Sequence, residues 1–450
     1  MIRRMVTAAL AAGLVVFLSA AAPSLAPDPG GGGALIPHAT AALPTADLPT
    51  WGPPNGGAAP AGAAADQASA DPVVRGRYLV VAGDCEACHT DVGGAAWAGA
   101  RPIGTPFGTI FSSNLTPDVA TGIGTWSSDD FYKAMHNGVR HGGARLYPAF
   151  PYPYFTHMQR ADSDAIYAYL KTVPAVSRVK PANKLPFPLN IRLLMAIWDA
   201  LFFKAQTFVA DPSQTEQWNR GAYLVQGPGH CGACHTPKNF LAADKNKQAL
   251  QGGKLDNWTA VNLTGDVRDG LGAWSEADVV RYLRTGRNGV ASASGSMTEV
   301  IYASTSRISD ADLAAMAVYL KRVPASGRDV AGRAADPATL RMGEAIYVDS
   351  CAACHRADGA GVVGMFPPMK GDALLHAADP TGLTRIILTG ARAIPTPGAP
   401  TPLAMPAYGA KLSDAQVAAV ATYIRATWGN AAAPVSAGQV GKVRRSVGNK

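Results

Sequence analysis

Cys85-Glu86-Ala87-Cys88-His89, Cys231-Gly232-Ala233-Cys234-His235 and Cys351-Ala352-Ala353-Cys354-His355 are three copies of one pattern, C-x-x-C-H. Two thiols one helical turn apart can form thioethers to the vinyl groups of a haem, and the adjacent histidine can ligate its iron. The pattern predicts three covalently bound haem c groups, attached at Cys85 and Cys88, Cys231 and Cys234, and Cys351 and Cys354. His89, His235 and His355 are the expected proximal ligands. A zinc site would need two cysteine pairs, or a pair plus histidines, converging on one metal, whereas these units lie more than a hundred residues apart. A thioredoxin-like pair would need a βαβ context and no trailing histidine. The three copies use all six cysteines.

A chain of 450 residues accommodates about three domains, one for each motif. Charged residues are only 16% of the total, and the 48 glycines and 34 prolines suit small loop-rich domains built around a large apolar cofactor. The expected class is mainly α: three tandem cytochrome c domains, each a small helical domain around its haem. They are placed at 72–180, 213–328 and 335–430. A linker with an apolar helix spans 181–212, a Gly/Ala/Pro-rich flexible leader 27–71 and a basic tail 431–450.

Arg3-Arg4, the apolar run at 8–20 and Ser24-Leu25-Ala26 form the charged region, hydrophobic region and cleavage site of a signal peptide over 1–26. The apolar run is shorter than the roughly 20 residues a membrane span needs. The mature protein is therefore expected in the periplasm. The net charge of +8 is diffuse and no motif suggests nucleic-acid binding. The tail can lean on anionic lipid or an acidic partner, or be a solvated end.

Arg75-Gly76-Arg77-Tyr78-Leu79-Val80 reads as a helix leading into the first motif, and residues 165–171 as a closing helix. Ser127 with Asp130 opens a middle helix between them. The plan repeats: Arg220-Gly221-Ala222-Tyr223-Leu224-Val225 precedes Cys231, Asn262-Leu263-Thr264 echoes Asn114-Leu115-Thr116, and Trp274-Ser275 opens the second middle helix. A more divergent third copy starts near Thr339. The linker stretch around Leu193-Leu194-Met195-Ala196-Ile197-Trp198 is too short and too charged to span a bilayer. It is read as packed against its own domains, or as a docking surface for a catalytic subunit or the membrane.

The sixth iron position sets the redox behaviour, since a methionine thioether raises the potential relative to a second histidine. In small c-type domains this methionine comes from the loop before the closing helix. Met405 fits in the third domain, with Met365 and Met369 read as packing around the ring. Met297 fits in the second, with Met316 read as core. In the first domain Phe150 occupies the slot corresponding to Met405. Met158 is the choice there, with Met135, His136, His141 and His157 as alternatives.

Gly104-Thr105-Pro106-Phe107-Gly108-Thr109, the Asn-Leu-Thr runs, Gly124-Thr125-Trp126-Ser127, Leu146-Tyr147-Pro148-Ala149-Phe150-Pro151-Tyr152 and Gly229-His230-Cys231-Gly232-Ala233-Cys234-His235-Thr236-Pro237 together resemble the three-haem cytochrome c subunit of membrane-associated bacterial alcohol dehydrogenases. The same subunit type serves flavin-dependent gluconate, sorbitol and fructose dehydrogenases. The resemblance covers residues 73–428. It implies an electron-transfer subunit that takes electrons from a partner quinoprotein or flavoprotein, dependent on PQQ or FAD, and passes them to ubiquinone or another respiratory acceptor. The implied place is the outer face of the cytoplasmic membrane. Some relatives have methionine where this chain has Phe150, which leaves the first sixth ligand open.

No G-x-G-x-x-G follows a strand and no acid–base constellation stands apart from the haem motifs. Substrate oxidation is therefore assigned to another polypeptide. The rivals are the cytochrome subunit of a molybdenum-dependent aldehyde or N-heterocycle dehydrogenase, and a haem peroxidase using an open position on the first haem.

Overall fold

A glycine in each of three opening helices decides how the helices cross. In the computed structural model, which describes residues 66–448 apart from 68, 256, 328–331 and 333, the first repeat contains α1 (Pro72–Ala82), α2 (Cys85–His89), β1 (Pro102–Thr105), β2 (Gly108–Phe111), α3 (Ser128–Asn137), α4 (Tyr152–Phe155) and α5 (Arg160–Leu170). After α6 (Leu194–Phe202) the second repeat contains α7 (Glu216–Gln226), α8 (Gly232–His235), β3 (Gly253–Leu255), β4 (Trp258–Ala260), α9 (Glu276–Thr285), α10 (Ser296–Ala303) and α11 (Asp310–Lys321). The third contains α12 (Pro337–Ser350), α13 (Ala352–His355), α14 (Ala373–His376), α15 (Thr381–Thr389), β5 (Ala391–Arg392), β6 (Ala404–Met405) and α16 (Asp414–Ala426), followed by α17 (Ala437–Gly448). The signal peptide expected at 1–26 and most of the leader expected at 27–71 lie outside the described residues.

The opening helices start on side-chain caps: Asp71, Thr215 and Asp336 accept the N–H groups of Val73, Trp218 and Thr339. Each then crosses its closing helix backbone to backbone. A Cβ on Gly76 would lie 1.9 Å from the Ala165 carbonyl oxygen, one on Gly221 1.9 Å from that of Ala315, and one on Gly343 2.3 Å from that of Ala419. Only glycine permits this approach. The middle helices α3 and α9 begin on reciprocal caps, Ser127 with Asp130 and Ser275 with Asp278. Beside this helical frame stand three short antiparallel hairpins, which the mainly helical reading of the sequence omitted: β1 with β2, β3 with β4, and β5 with β6.

Each repeat buries its own apolar cluster. Leu79, Phe131, Ile166 and Leu170 centre the first; Leu224, Trp274, Leu313 and Leu320 the second; Tyr347, Ile387, Val417 and Ile424 the third. Cys85, Cys231 and Cys351 pack against them in turn.

The first two repeats interlock. Asp162, on α5, is bound by Arg75 of its own repeat at 2.7 Å and accepts the hydroxyl of Tyr223 from the second. Asp312, at the equivalent place on α11, is bound by Arg220 of its own repeat at 2.8 Å and accepts the hydroxyl of Tyr78 from the first at 2.5 Å. Both carboxylates are buried. The exchange of equivalent tyrosines makes this an approximate two-fold interface within one chain. The third repeat docks differently, onto the β3–β4 hairpin: Lys254 pairs with Asp379 at 3.3 Å, and the Arg385 guanidinium lies 4.3 Å over the Trp258 ring.

The linker helix α6 packs by one side. Asp199 is buried, accepting from the Tyr152 hydroxyl at 2.5 Å and pairing with Arg145 at 3.0 Å, and the Trp198 indole donates to the Leu241 carbonyl. Its other side leaves Leu193, Ile197 and Leu201 exposed. The expected basic tail is not a solvated end. It forms α17, which buries Val440 and Val443 in the third cluster, while Arg444 binds Asp414 and the carbonyls of Gly409 and Leu412. The apolar positions four residues before and one before Arg444 lie on one helical face, so the helix docks although its net composition is basic.

Candidate functional site

In the first repeat Gly83 ends α1 and Asp84, at φ 51°, turns the chain into the motif helix. In the second, Gly227 ends α7 and His230, at φ 37°, stands just before Cys231. In the third, α12 runs directly into Cys351. Each motif is thus a single helical turn that sets its two thiols side by side, and none of the six cysteines is in a disulfide. Burial pushes the Cys231 thiol up to about 12 and that of Cys351 to about 11, so these two stand as neutral thiols rather than nucleophilic thiolates.

The three histidines share one arrangement. His89 Nδ1 lies 2.7 Å from the Ser113 carbonyl, His235 Nδ1 2.7 Å from that of Val261, and His355 Nδ1 2.9 Å from that of Pro367. A carbonyl can only accept, so Nδ1 carries the proton and Nε2 keeps its lone pair for a metal. Burial lowers all three histidine pKa values and favours the neutral ring.

The Asn-Leu-Thr runs gain a role here that the sequence alone did not disclose. Ser113 and Val261, whose carbonyls accept from His89 and His235, immediately precede Asn114 and Asn262. The Asn114 side chain accepts the Thr116 N–H at 2.9 Å and donates to the Val176 carbonyl; Asn262 accepts the Thr264 N–H at 2.8 Å. Each asparagine pins the turn that presents the carbonyl to the histidine. The third repeat uses Pro367 without such an asparagine, whose φ is set by its ring instead.

Met158 is buried in the first cluster together with Cys85. Phe150 packs against the same cluster, its ring 5.3 Å from that of Phe155. Met135 lies in the same cluster, whereas His141 pairs with Asp130 at 3.0 Å and His136 stacks on Tyr132. Met297, on the first turn of α10, packs against the cluster that contains Cys231; Met316 is buried in that cluster. Met405 is half-buried in β6 opposite Ala391, while Met369 packs on the third cluster with Cys351 and Met365 is exposed. Each site therefore combines two free thiols, one histidine with Nε2 unprotonated, and an apolar cluster with a thioether near it. That donor set fits a covalently attached haem. Among the described residues no group of three or more His, Cys, Asp or Glu side chains is placed to hold a bare metal ion.

Residues 340–428 match the family described as Cytochrome c. The gluconate 2-dehydrogenase cytochrome c subunit of Pantoea cypripedii is 43% identical over 398 residues, covering 83% of this chain and 89% of that one. The cytochrome c subunit of the quinone alcohol dehydrogenase of Gluconacetobacter polyoxogenes is 40% identical, covering 83% and 84%. The fructose dehydrogenase cytochrome subunit of Gluconobacter japonicus is 37% identical, covering 83% and 82%.

Proposed function

The chain belongs to the cytochrome c subunits of gluconate, alcohol and fructose dehydrogenase complexes, and from that premise we propose that it carries electrons from a dehydrogenase subunit through three covalently bound haem c groups to ubiquinone. The observation that supports three sites is the repeated histidine geometry: Nδ1 of His89, His235 and His355 each faces a backbone carbonyl beside a pair of free thiols. The haems, when attached, supply reversible one-electron chemistry. The chain does the rest. Its six cysteines would anchor the rings, the carbonyls of Ser113, Val261 and Pro367 hold the imidazole orientation, and the apolar clusters would supply water-poor surroundings for the group. Met158, Met297 and Met405 are the proposed sixth ligands, and 72–180, 213–328 and 335–430 the three cytochrome domains.

The relatives' names, which assign them to gluconate, alcohol and fructose dehydrogenases, support a dehydrogenase subunit as partner, and the proposed kind is a quinoprotein or flavoprotein. The periplasmic surface of the cytoplasmic membrane is the proposed location. Among the described residues no helix is long and apolar enough to cross a membrane. Leu193, just before α6, and Ile197 and Leu201 on it are exposed, and the exposed Phe187, Lys184 and Lys204 flank them in the sequence, so the linker offers apolar side chains between cations. Such a segment suits the interface of an anionic bilayer.

The test is purification of the chain from its native source, with intact-mass counting of attached haems, identification of the co-purifying subunit, and assay of quinone reduction with alcohols, sugars and aldehydes. Three haems and a quinoprotein or flavoprotein partner are the expected result. A molybdenum-containing partner, or fewer than three haems, overturns the reading.

A further inference from the structure

The approximate two-fold between the first two repeats does more than join their helices. It places the segment that precedes each closing helix, where the sixth ligand is proposed, against the haem-attachment loop of the other repeat. On one side, α10 with Met297 at its start packs on the first motif helix, α2. Arg101, in the loop after the first motif, spans the junction: its guanidinium donates to the Ala87 carbonyl inside that motif and binds both Glu299 oxygens, at 2.5 and 3.0 Å, two residues beyond Met297.

On the other side, α4 and the residues leading to Met158 pack on the second motif. A Cβ on Gly232 would lie 2.6 Å from the Tyr154 ring, and one on Gly227 3.7 Å from the Met158 side chain. The Phe155 and His230 rings meet at 5.3 Å. The Tyr154 hydroxyl donates to Asp244 at 2.6 Å, and Asp244 is held in turn by Lys238, in the loop after the second motif. The third repeat meets the second through β3, β4 and α15, and also where Thr396 and Thr401 contact the Thr285 carbonyl and the Arg287 guanidinium at the end of α9, away from the second motif.

We infer that Arg101 and Tyr154 are positioning residues acting across the interface: Arg101 holds the second repeat's sixth-ligand segment on the first motif, and Tyr154 anchors the first repeat's own sixth-ligand segment on the loop after the second motif, so axial ligation at each of the first two sites is supported by the other repeat. The inference rests on the three-haem reading. A bidentate arginine–carboxylate pair fixes both distance and orientation of the α10 start, which an isolated short helix would not hold by itself.

The experiment compares Arg101→Gln, Glu299→Gln and the double variant in the full chain, with Arg101→Lys as the conservative rescue. Haem number is counted by intact mass, the methionine-to-iron charge-transfer band is followed in the oxidised protein, and the potentials are titrated. The expected result is an unchanged haem count, with a weakened band and one shifted potential. The shift should be the same in both single variants and in the double, and partly restored by lysine. To assign it, the titration is repeated in a chain carrying Met297→His, whose second-site signature differs; the Arg101→Gln shift should disappear there. A shift that persists in the Met297→His background, or full methionine ligation and unmoved potentials in Arg101→Gln, overturns the inference. A haem count below three in the parent chain would instead fault the three-haem reading.

Discussion

Gly221→Ala adds one methyl group where the second repeat has no space for it. The new Cβ would stand 1.9 Å from the Ala315 oxygen, 2.5 Å from its carbonyl carbon and 2.9 Å from Tyr319 Cβ. All three are backbone or Cβ atoms, so no flexible side-chain end can move aside. To reach 3.0 Å from the oxygen, α7 must retreat from α11 by roughly 1 Å, and a gap of that size forfeits about a quarter to a half of the dispersion energy of the facing atoms. Those atoms include Leu224 and Leu313, both fully buried at this crossing. Overpacking of this kind costs about 1–3 kcal/mol, and rigid walls on every side place this site at the upper end. The better helix propensity of alanine returns at most about 1 kcal/mol. The expected net loss is about 2 kcal/mol.

The assay is urea unfolding of the haem-loaded chain, followed by far-ultraviolet circular dichroism and haem absorbance. Gly76→Ala, with the same 1.9 Å approach, should behave alike, and Gly343→Ala, at 2.3 Å, should cost less. Gly438→Ala is the control. It lies in α17 with nothing within 4 Å of its added Cβ, so alanine there should be neutral or stabilising by up to about 1 kcal/mol. A Gly221→Ala midpoint equal to wild type would refute the claim that backbone contact sets the crossing.

Tyr78→Phe and Tyr223→Phe each remove a hydroxyl from a buried carboxyl group, that of Asp312 or Asp162. Each should lower the unfolding midpoint by about 1.5–3 kcal/mol, and either should loosen the first two repeats while leaving the third protected in hydrogen exchange. Truncation before α17 removes Val440 and Val443 from the third cluster; at about 1.5–3 kcal/mol per buried valine, it should destabilise that repeat and perturb the third haem's spectrum selectively, an outcome read by the same urea series. Leu193→Gln with Ile197→Gln should leave the melting curve unchanged, since both side chains are exposed, yet weaken flotation with anionic vesicles. On the acid side, Asp130 is lowered from 3.8 to about 2, first by the Ser127 N–H and hydroxyl and then by His141. A depressed carboxylate stabilises the fold above its unfolded value and loses that contribution as pH falls through its folded value. Asp130→Asn should therefore flatten the loss of stability between pH 3.8 and about 2, measured as midpoint against pH.

Much of this protein is legible along its chain because the determining interactions are local. C-x-x-C-H requires only five consecutive residues, and the helix starts at Ser128 and Glu276 follow from reciprocal caps three residues apart. The duplication of Arg-Gly-x-Tyr-Leu-Val announced the equivalence of α1 and α7, although not why the glycine is there. What depended on the tertiary structure are contacts between residues far apart in sequence. Tyr78 meets Asp312, and Arg101 meets Glu299, only because two similar repeats pack about an approximate two-fold, and nothing in either local stretch encodes that pairing. The same holds for the tail, whose basic composition left a lipid or acidic contact and a solvated end both open, and whose Val440 and Val443 enter the third cluster. Local propensity and motif spacing determine which elements form and what cofactor chemistry they can hold. The relative placement of the repeats is decided by shape and by the hydrogen bonds and the Arg101–Glu299 pair across the interface, terms that exist only once the chain has folded.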